Sequence, residues 1–421
     1  MVIAGGATVR LKPGKQAGPR SGRPWVYRGE IEAVQGAPVS GDLVAVTDAY
    51  GQWLGWAFYH ETSVLALRLL GGVPGEVPGD AFFERRLAAA VTYRREVLGP
   101  EAFGDEGACR LVFAEADGLP GLIVDKFGSV LVCQVLTVGI ERRLAFLSEC
   151  LAALTGIEVI FARNEGAVRR LEGLSQRSGP LRGTPPDIVP IREGAVLLGV
   201  DLRAGQKTGH FLDQRENRLL FGGLIRALGG GNGAEATTVP GAGSAALPTV
   251  LDCFCHSGGF GLQALAAGAA RVLFVDTQTP ALEAVRRNAQ MNGFEDWEVQ
   301  QANAFDLLRA LEREGRQFAA VVLDPPAFAR ARAQLDGAYR GYKEINLRAM
   351  RLLAPGGLLC TSSCSQAVSE EMFDAMLRDA AADAGRRLRV IARRGAPPDH
   401  PGLLGADETA YLKCRFLQAL A

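Results

Sequence analysis

At 421 residues the chain has room for about three domains of roughly 150 residues each, which argues against a single small module. Its 46 Lys and Arg balance 46 Asp and Glu, so there is neither a histone-like nor an acidic tail, and any nucleic-acid contact must come from local patches. The 8 cysteines form no C-x-x-C pair and no dense framework, a usage that fits free thiols in a reducing compartment. No apolar run reaches the roughly 18 residues of a membrane span, and Met1 to Arg10 lacks the charged start and apolar core of a signal peptide. A soluble, cytoplasmic protein is expected.

Residues 1–72 carry short β-type runs at Leu43 to Val46, Trp53 to Tyr59 and Val64 to Leu70, separated by turn signals, and predict a small β domain. Its first 30 residues hold Arg10, Lys12, Lys15, Arg20, Arg23 and Arg28 against Glu30, with Trp25 and Tyr27 interleaved. Such a stretch can neutralise phosphates and stack on bases, although most basic clusters are only solvated faces. After the Gly/Pro-rich residues 71–80, an α+β domain is expected over 81–190. Its predicted elements are a helix from Phe82 to Leu98, strands at Leu122 to Asp125 and Val130 to Val135, and a helix from Glu141 to Leu154.

From residue 196 to 421, apolar strands alternate with amphipathic helices, the pattern of βαβ units in a mostly parallel, Rossmann-like sheet. Within it, 229–248 is almost all Gly, Ala, Thr and Pro; it buries too little to offset its chain entropy and is expected to be a flexible insertion. Residues 250–293 read as strand, Gly-rich turn, helix, strand and helix. The second strand, Val272 to Val275, ends at Asp276, and Thr279 is the expected cap of the helix that follows. A carboxylate at the carboxyl end of such a strand can accept both hydroxyls of a ribose, while Gly258 and Gly259 let the backbone come close to a ligand. The turn lacks the G-x-G-x-x-G spacing of a dinucleotide fold, which argues against a nicotinamide oxidoreductase.

A further βαβ unit is predicted from the strand in 319–326, which runs into Asp324-Pro325-Pro326, through a helix from Tyr342 to Leu353, to the strand in 357–364. Asp324 and Cys364 would then flank one crevice. The spacing of Cys253, Cys255 and His256 reads as wrong for a structural zinc site, and no metal is expected. His60, His210 and His400 are isolated, although His210 lies in a polar motif.

These segments resemble class I S-adenosylmethionine-dependent methyltransferases, and more narrowly the bacterial 23S rRNA cytosine-C5 methyltransferases of the large-subunit methyltransferase I type. The resemblance spans nearly the whole chain. It rests on KTGHFLDQRENR (207–218), CFCHSGGF (253–260), LDPPAF (323–328), RGYKEIN (340–346) and SSCS (362–365), with EADGLPGLIVD (115–125) in the middle domain. It implies an N-terminal PUA domain that binds RNA, with Arg10, Lys12, Lys15, Trp25 and Arg28 as contact candidates, and S-adenosylmethionine as cofactor. By the same likeness Phe211, Asp213, Gln214 and Arg215 would line the cofactor side. Phe254, Ser257, Gly258 and Gly259 would approach the methionine moiety, and Asp276 would hold the ribose. Asn303 would meet the adenine, where relatives often have Asp; its carbonyl can accept but carries no charge.

Cytosine C5 is a poor nucleophile, so its methylation calls for a thiolate that adds to C6. A lone Cys is more often a small core hydrophobe, but Cys364, just past a buried strand, meets this need and matches the nucleophile position of the family. Asp324 would sit by donor and base, hydrogen-bonding the polar edge of the base. Pro325 and Pro326 stand where some C5 methyltransferases carry a second Cys. The target base must be extruded before a thiol can reach it. Amino-group methylation of a purine, with Cys364 incidental, and a non-catalytic RNA-binding assembly factor remain as alternatives. The expected partner is 23S rRNA, free or in an assembling subunit. A homodimer is one open option.

Overall fold

A computed structural model describes residues 6–203, 205, 208–229, 249–329 and 331–420. Lys207 and all but the first residue of the insertion expected over 229–248 lie outside the described residues. The chain forms two compact units. One comprises Met1–Ile191, Val200–Leu212 and Pro398–Thr409; the other comprises Arg192–Gly199, Asp213–Pro397 and Ala410–Ala421.

The first unit begins with β1 (Thr8–Leu11), a helical turn α1 (Ala17–Arg20), β2 (Trp25–Tyr27), β3 (Ile31–Gln35), β4 (Leu43–Thr47), β5 (Trp53–Tyr59) and β6 (Leu65–Gly71). These strands form a six-stranded sheet in the order β2-β6-β5-β4-β1-β3. Alternating side chains, among them Val9, Leu11, Val44, Val46 and Leu67, fill its interior, as the period of two in the sequence requires. Next come α2 (Asp80–Val97), β7 (Ala108–Phe113), β8 (Leu122–Phe127), β9 (Val130–Val135), α3 (Val138–Glu141), α4 (Leu144–Thr155), β10 (Val159–Asn164), α5 (Ala167–Leu171) and β11 (Arg177–Arg182). Their sheet runs β11-β10-β9-β8-β7.

The segments read as separate domains, 1–72 and 81–190, share one core in which Trp56 and Phe58 pack with Phe83, Leu87, Leu111 and Ile140. The helix expected from Glu141 to Leu154 is two pieces, α3 and α4. Gly139 of α3 lies against the Phe58 ring, where a Cβ would come within 2.3 Å, and the Arg143 guanidinium covers the Phe58 and Phe83 rings. Buried charges tie the returning segments to this unit. Arg110 grips both oxygens of Asp125 at 2.8 and 2.9 Å, the Thr208 hydroxyl donates to Asp125, and the Arg110 N–H donates to Asp399. Pro398–Thr409, part of the stretch read as the C-terminal domain, therefore belongs here.

β12 (Ile188–Glu193) and β13 (Val196–Asp201) form a two-stranded sheet. The second unit continues with α6 (Arg215–Leu228), β14 (Thr249–Cys253), α7 (Gly259–Ala266), β15 (Arg271–Asp276), α8 (Thr279–Met291), β16 (Trp297–Gln301), α9 (Ala304–Arg313) and β17 (Phe318–Leu323). It ends with α10 (Leu335–Leu352), β18 (Leu353–Ser363), α11 (Glu370–Ala384), β19 (Leu388–Arg394) and β20 (Lys413–Ala419). The seven strands are ordered β16-β15-β14-β17-β18-β20-β19. The first five run parallel and β20 is antiparallel to both its neighbours. This is the mostly parallel, Rossmann-like sheet expected from the sequence. The order reverses between β14 and β17, so the crossover chains diverge there and leave a crevice at the carboxyl ends.

Two boundaries differ from the sequence reading. The cap of α8 is Gln278, not Thr279, and Pro280 sits in the first turn. The helix read from Tyr342 starts at Leu335, because Gly337 and Gly341 interrupt the apolar period. Gly341 faces Phe328, where a Cβ would come within 3.2 Å. β19 forms one edge of the sheet, none of its residues is buried, and it exposes Arg389, Arg393 and Arg394. No helix among the described residues is long and apolar enough to cross a membrane.

Gly261, inside α7, has no room for a side chain: a Cβ would lie 2.2 Å from Phe274 Cε1 and 2.8 Å from Val272 Cγ1. Gly223, in α6, meets nothing within 4 Å. Gly261→Ala is expected to cost about 1–3 kcal/mol through overpacking, despite better helix propensity. Gly223→Ala is expected to gain up to about 1 kcal/mol. Urea unfolding midpoints of the two variants, moving in opposite directions, check both.

Candidate active site

The site lies at the carboxyl edge of the sheet in the second unit. β14 ends at Cys253, and the chain then turns sharply: Phe254 and His256 adopt positive φ of 61° and 49°. Non-glycine residues in that region carry strain that surrounding contacts must offset. Here the offset is visible, because the turn brings the His256 N–H to Asp276 Oδ2 at 3.0 Å, while the Gln278 N–H reaches Asp276 Oδ1 at 2.9 Å. Each carboxylate oxygen thus accepts one backbone donor and keeps capacity for another. Cys255 is past the end of the strand, so strand alternation says nothing about how it and Cys253 face; both are buried. Among the described residues no group of three His, Cys, Asp or Glu could hold a metal.

Gly258 caps α7 with φ +84°, and a Cβ on it would sit 3.1 Å from Val285. A Cβ on Gly259 would meet Arg218 Cδ at 2.4 Å. Ser257 is buried and Phe254 half-buried beside this turn. Asn303 is exposed two residues beyond β16, and its side-chain oxygen caps α9 by accepting from the Phe305 N–H at 2.9 Å. Its carbonyl is therefore already engaged, with one lone-pair direction remaining.

Beneath the turn lies Asp252, fully buried, whose Oδ2 accepts from the Gly261 N–H at 2.9 Å. Burial pushes its carboxyl up to about 7; the Gly261 N–H opposes the shift and the charges of Asp324 and Asp276 add to it.

On the other side of the reversal, the buried amide of Gln214 joins two strand ends. Its Nε2 donates to Asp324 Oδ1 at 2.8 Å and to Ser362 Oγ at 3.1 Å, and its own oxygen accepts from Asn217 Nδ2 at 2.6 Å. Asp324 thereby stands fixed just past β17. The buried Asp213 accepts from the Tyr411 hydroxyl, and Arg215 is the first residue of α6. Phe211 is half-buried and belongs to the first unit.

Cys364 is partly exposed, one residue past β18, and its thiol donates to the Pro325 carbonyl at 3.8 Å. The serines on either side are anchored inward. The Ser363 hydroxyl donates to the Tyr342 hydroxyl at 3.0 Å, which also bonds Ser365 Oγ at 2.9 Å. Burial pushes the Tyr342 phenol up from its ordinary value, and the Cys364 charge adds to the shift.

The basic residues of the first sheet are mostly committed within their own unit. Arg10 pairs with Glu32 at 3.0 Å, Arg23 grips both oxygens of Glu30, and Arg28 donates to the Ser63 and His60 carbonyls. The Trp25 indole donates to Glu115 at 3.1 Å. Lys12 is exposed while donating to the Gly29 carbonyl. Lys15 is exposed. Asp252, Asn217, Tyr342 and Lys413 drew no role from sequence reasoning. Tyr342 lay in a quoted motif and Asp252 just before one, while Lys413 lies in the last strand, beyond every motif.

Comparison with known proteins adds to this geometry. Residues 9–71 match a PUA-like domain family, and residues 242–373 match a family described as conserved hypothetical protein 95. The ribosomal RNA large subunit methyltransferase I of Photobacterium profundum is 38% identical over 410 residues, covering 96% of this chain and 98% of that protein. The chain belongs to the ribosomal RNA large subunit methyltransferase I family. A solved structure of a Streptococcus mutans protein described as a SAM-dependent methyltransferase shares the fold of this family member, with TM-score 0.78 at 16% identity over 98% of this chain and all of that one. A methyltransferase solved in complex with SAH gives TM-score 0.78 at 17% identity over 98% and 99% of the two chains.

Asp252 offers a direct check on the electrostatics of this site. Its carboxyl titrates near 3.8 when exposed and at about 7 when folded. The stability tied to its protonated form is therefore complete below about pH 4 and is lost as pH rises through 7. Asp252→Asn, which has no charge to bury, is expected to match wild type at low pH and to exceed it by up to about 4 kcal/mol at about pH 8. Thermal melts across that range read the difference.

Proposed function

We propose that this chain methylates C5 of a cytosine in 23S ribosomal RNA, with S-adenosylmethionine as donor and Cys364 as the covalent nucleophile. The observation that carries the reading is the position of the Cys364 thiol. It is accessible at the carboxyl end of β18, bonded to the backbone of the Asp324-Pro325-Pro326 segment on the neighbouring strand end. The name shared by the relatives supports large-subunit rRNA as the substrate class.

The residues around the glycine turn fit S-adenosylmethionine. A Cβ on Gly259 would collide with Arg218 and one on Gly258, at φ +84°, would crowd Val285, so the turn keeps bare backbone at both. Asp276 is held by two backbone donors with acceptor capacity to spare for a ribose diol. Asn303 offers its amide N–H and one lone pair to a purine edge. When bound there, S-adenosylmethionine supplies an electrophilic methyl group to a carbon that the protein has made nucleophilic.

The protein's own part begins with the flipped cytosine. The Cys364 thiolate adds to C6, which moves electron density onto C5. Asp324, fixed by the Gln214 amide, faces the polar edge of the ring and accepts from the cytosine amino group, which orients the base for attack. After C5 is methylated, loss of its proton to a base expels the Cys364 sulfur and restores the aromatic ring. The PUA-like sheet holds the RNA strand, with Lys12 and Lys15 as its available phosphate contacts.

Cys364→Ala is expected to lower methyl transfer to an rRNA fragment by at least about a thousandfold, as removal of a covalent nucleophile does elsewhere. A fragment carrying 5-fluorocytosine, which has no proton to lose at C5, should leave a protein–RNA adduct mapped by mass spectrometry to Cys364. Full transfer by the Ala variant would instead point to an amino-group acceptor.

A further inference from the structure

Lys413 is one of two lysines buried among the described residues, the other being Lys126 in the first unit. It opens β20, where the antiparallel ladder sets it opposite Ser363. Its ammonium then reaches past Cys364 to donate to the Ser365 carbonyl at 2.8 Å, and to the Tyr411 carbonyl at 2.8 Å. One residue thus holds the chain on both sides of Cys364, by the strand register before it and by a charged hydrogen bond after it.

A buried ammonium held only by neutral carbonyls is costly, because carbonyl dipoles replace hydration without neutralising the charge. The groups that face it decide what completes the balance. Glu370, at the start of α11, sits 2.9 Å from Arg415, and Arg415 is also held by Asp374 at 2.6 Å. These charges largely satisfy one another. The Tyr342 phenol is bonded to the Ser363 and Ser365 hydroxyls, and burial disfavours its ionised form. Asp213 is engaged by Tyr411. Of the described groups, the Cys364 sulfur and Glu370 act on the ammonium as negative charges, and Glu370 is the one already bonded to Arg415.

We infer that Lys413 is a positioning residue whose ammonium is the counter-charge of the Cys364 thiolate, drawing the resting thiol into its reactive form near neutral pH. The inference rests on the reading of Cys364 as the nucleophile and adds what activates it. Burial pushes the Lys413 ammonium down to about 8, while the Cys364 charge works against that shift. The pair therefore exists in a window, from the pH at which the thiol ionises up to that at which the ammonium gives up its proton. Methyl transfer should fall on the acid side as the thiol is protonated.

The test follows the alkylation of Cys364 by iodoacetamide against pH, resolved by peptide mass spectrometry, with the partly exposed Cys150 as internal reference. In the wild-type protein the Cys364 midpoint should fall at least one pH unit below the ordinary thiol value of about 8.5. A midpoint at or above that value overturns the inference without any variant. Lys413→Met should move the midpoint upward and cut alkylation at pH 7 by tenfold or more. Lys413→Arg, which keeps the charge, should restore most of it. A Met variant that melts like wild type and keeps the wild-type profile also overturns the inference. The 5-fluorocytosine adduct separates the two readings. If it forms at Cys364 while the alkylation profile ignores Lys413, the lysine role alone fails. If wild type forms no adduct, the nucleophile reading fails whatever the alkylation profile shows.

Discussion

The reversal of strand order between β14 and β17 is the constraint on which the site depends. Parallel strands deliver their carboxyl ends to one edge, and the crossover helices on opposite faces leave that edge open at the reversal. Asp276, Asp324 and Cys364 stand at three such ends, on β15, β17 and β18, and Asp252 lies buried within β14. None of them could be moved to a different loop without losing its neighbours. The edge also concentrates acidic charge, and the elevated carboxyl of Asp252 records first its burial and then the charges of Asp324 and Asp276.

Neutral hydrogen-bond donors make that concentration tolerable. Backbone N–H groups hold Asp276 and Asp252, and a side-chain amide holds Asp324. An arginine at any of these points would neutralise the acid but would also fill the crevice. Amide donors fix the carboxylates in place without filling the crevice. The strained turn at Phe254 and His256 is part of the same solution, since a relaxed turn would not aim the His256 N–H at Asp276.

Much of the second unit was legible from periodicity, because buried parallel strands such as Val272 to Val275 and Ala319 to Leu323 are continuous apolar runs ending in an acid. The helix around Tyr342 was legible only in its second half. Gly337 and Gly341 carry no hydrophobic signal, and their use is the close approach to Phe328, a tertiary fact. Asp252, Lys413 and the bond of Gln214 to Asp324 escaped for a related reason. Each works on a residue distant in sequence, and a buried polar side chain leaves no local pattern. In the first unit the basic run from Arg10 to Arg28 was visible as charge, but its pairing with Glu32, Glu30 and the carbonyls around Ser63 was not. Nor does composition reveal that Trp56 and Phe58 pack into the same core as Phe83, which places residues 1–72 and 81–190 in one unit.

The sheet ends on β19, a strand with no buried residue that pairs, among the described strands, with β20 on one side and leaves its other edge open. Such a rim is a template for fibril-like growth, since any extended chain can add to it. Exposed Val390 and Ile391 would add to that tendency. The guanidinium of Arg389 opposes it, while Arg393 and Arg394 are bonded to Asp374 and Glu216. Charged side chains along an edge strand disfavour such pairing, so the arginines of β19 blunt the rim against self-templating.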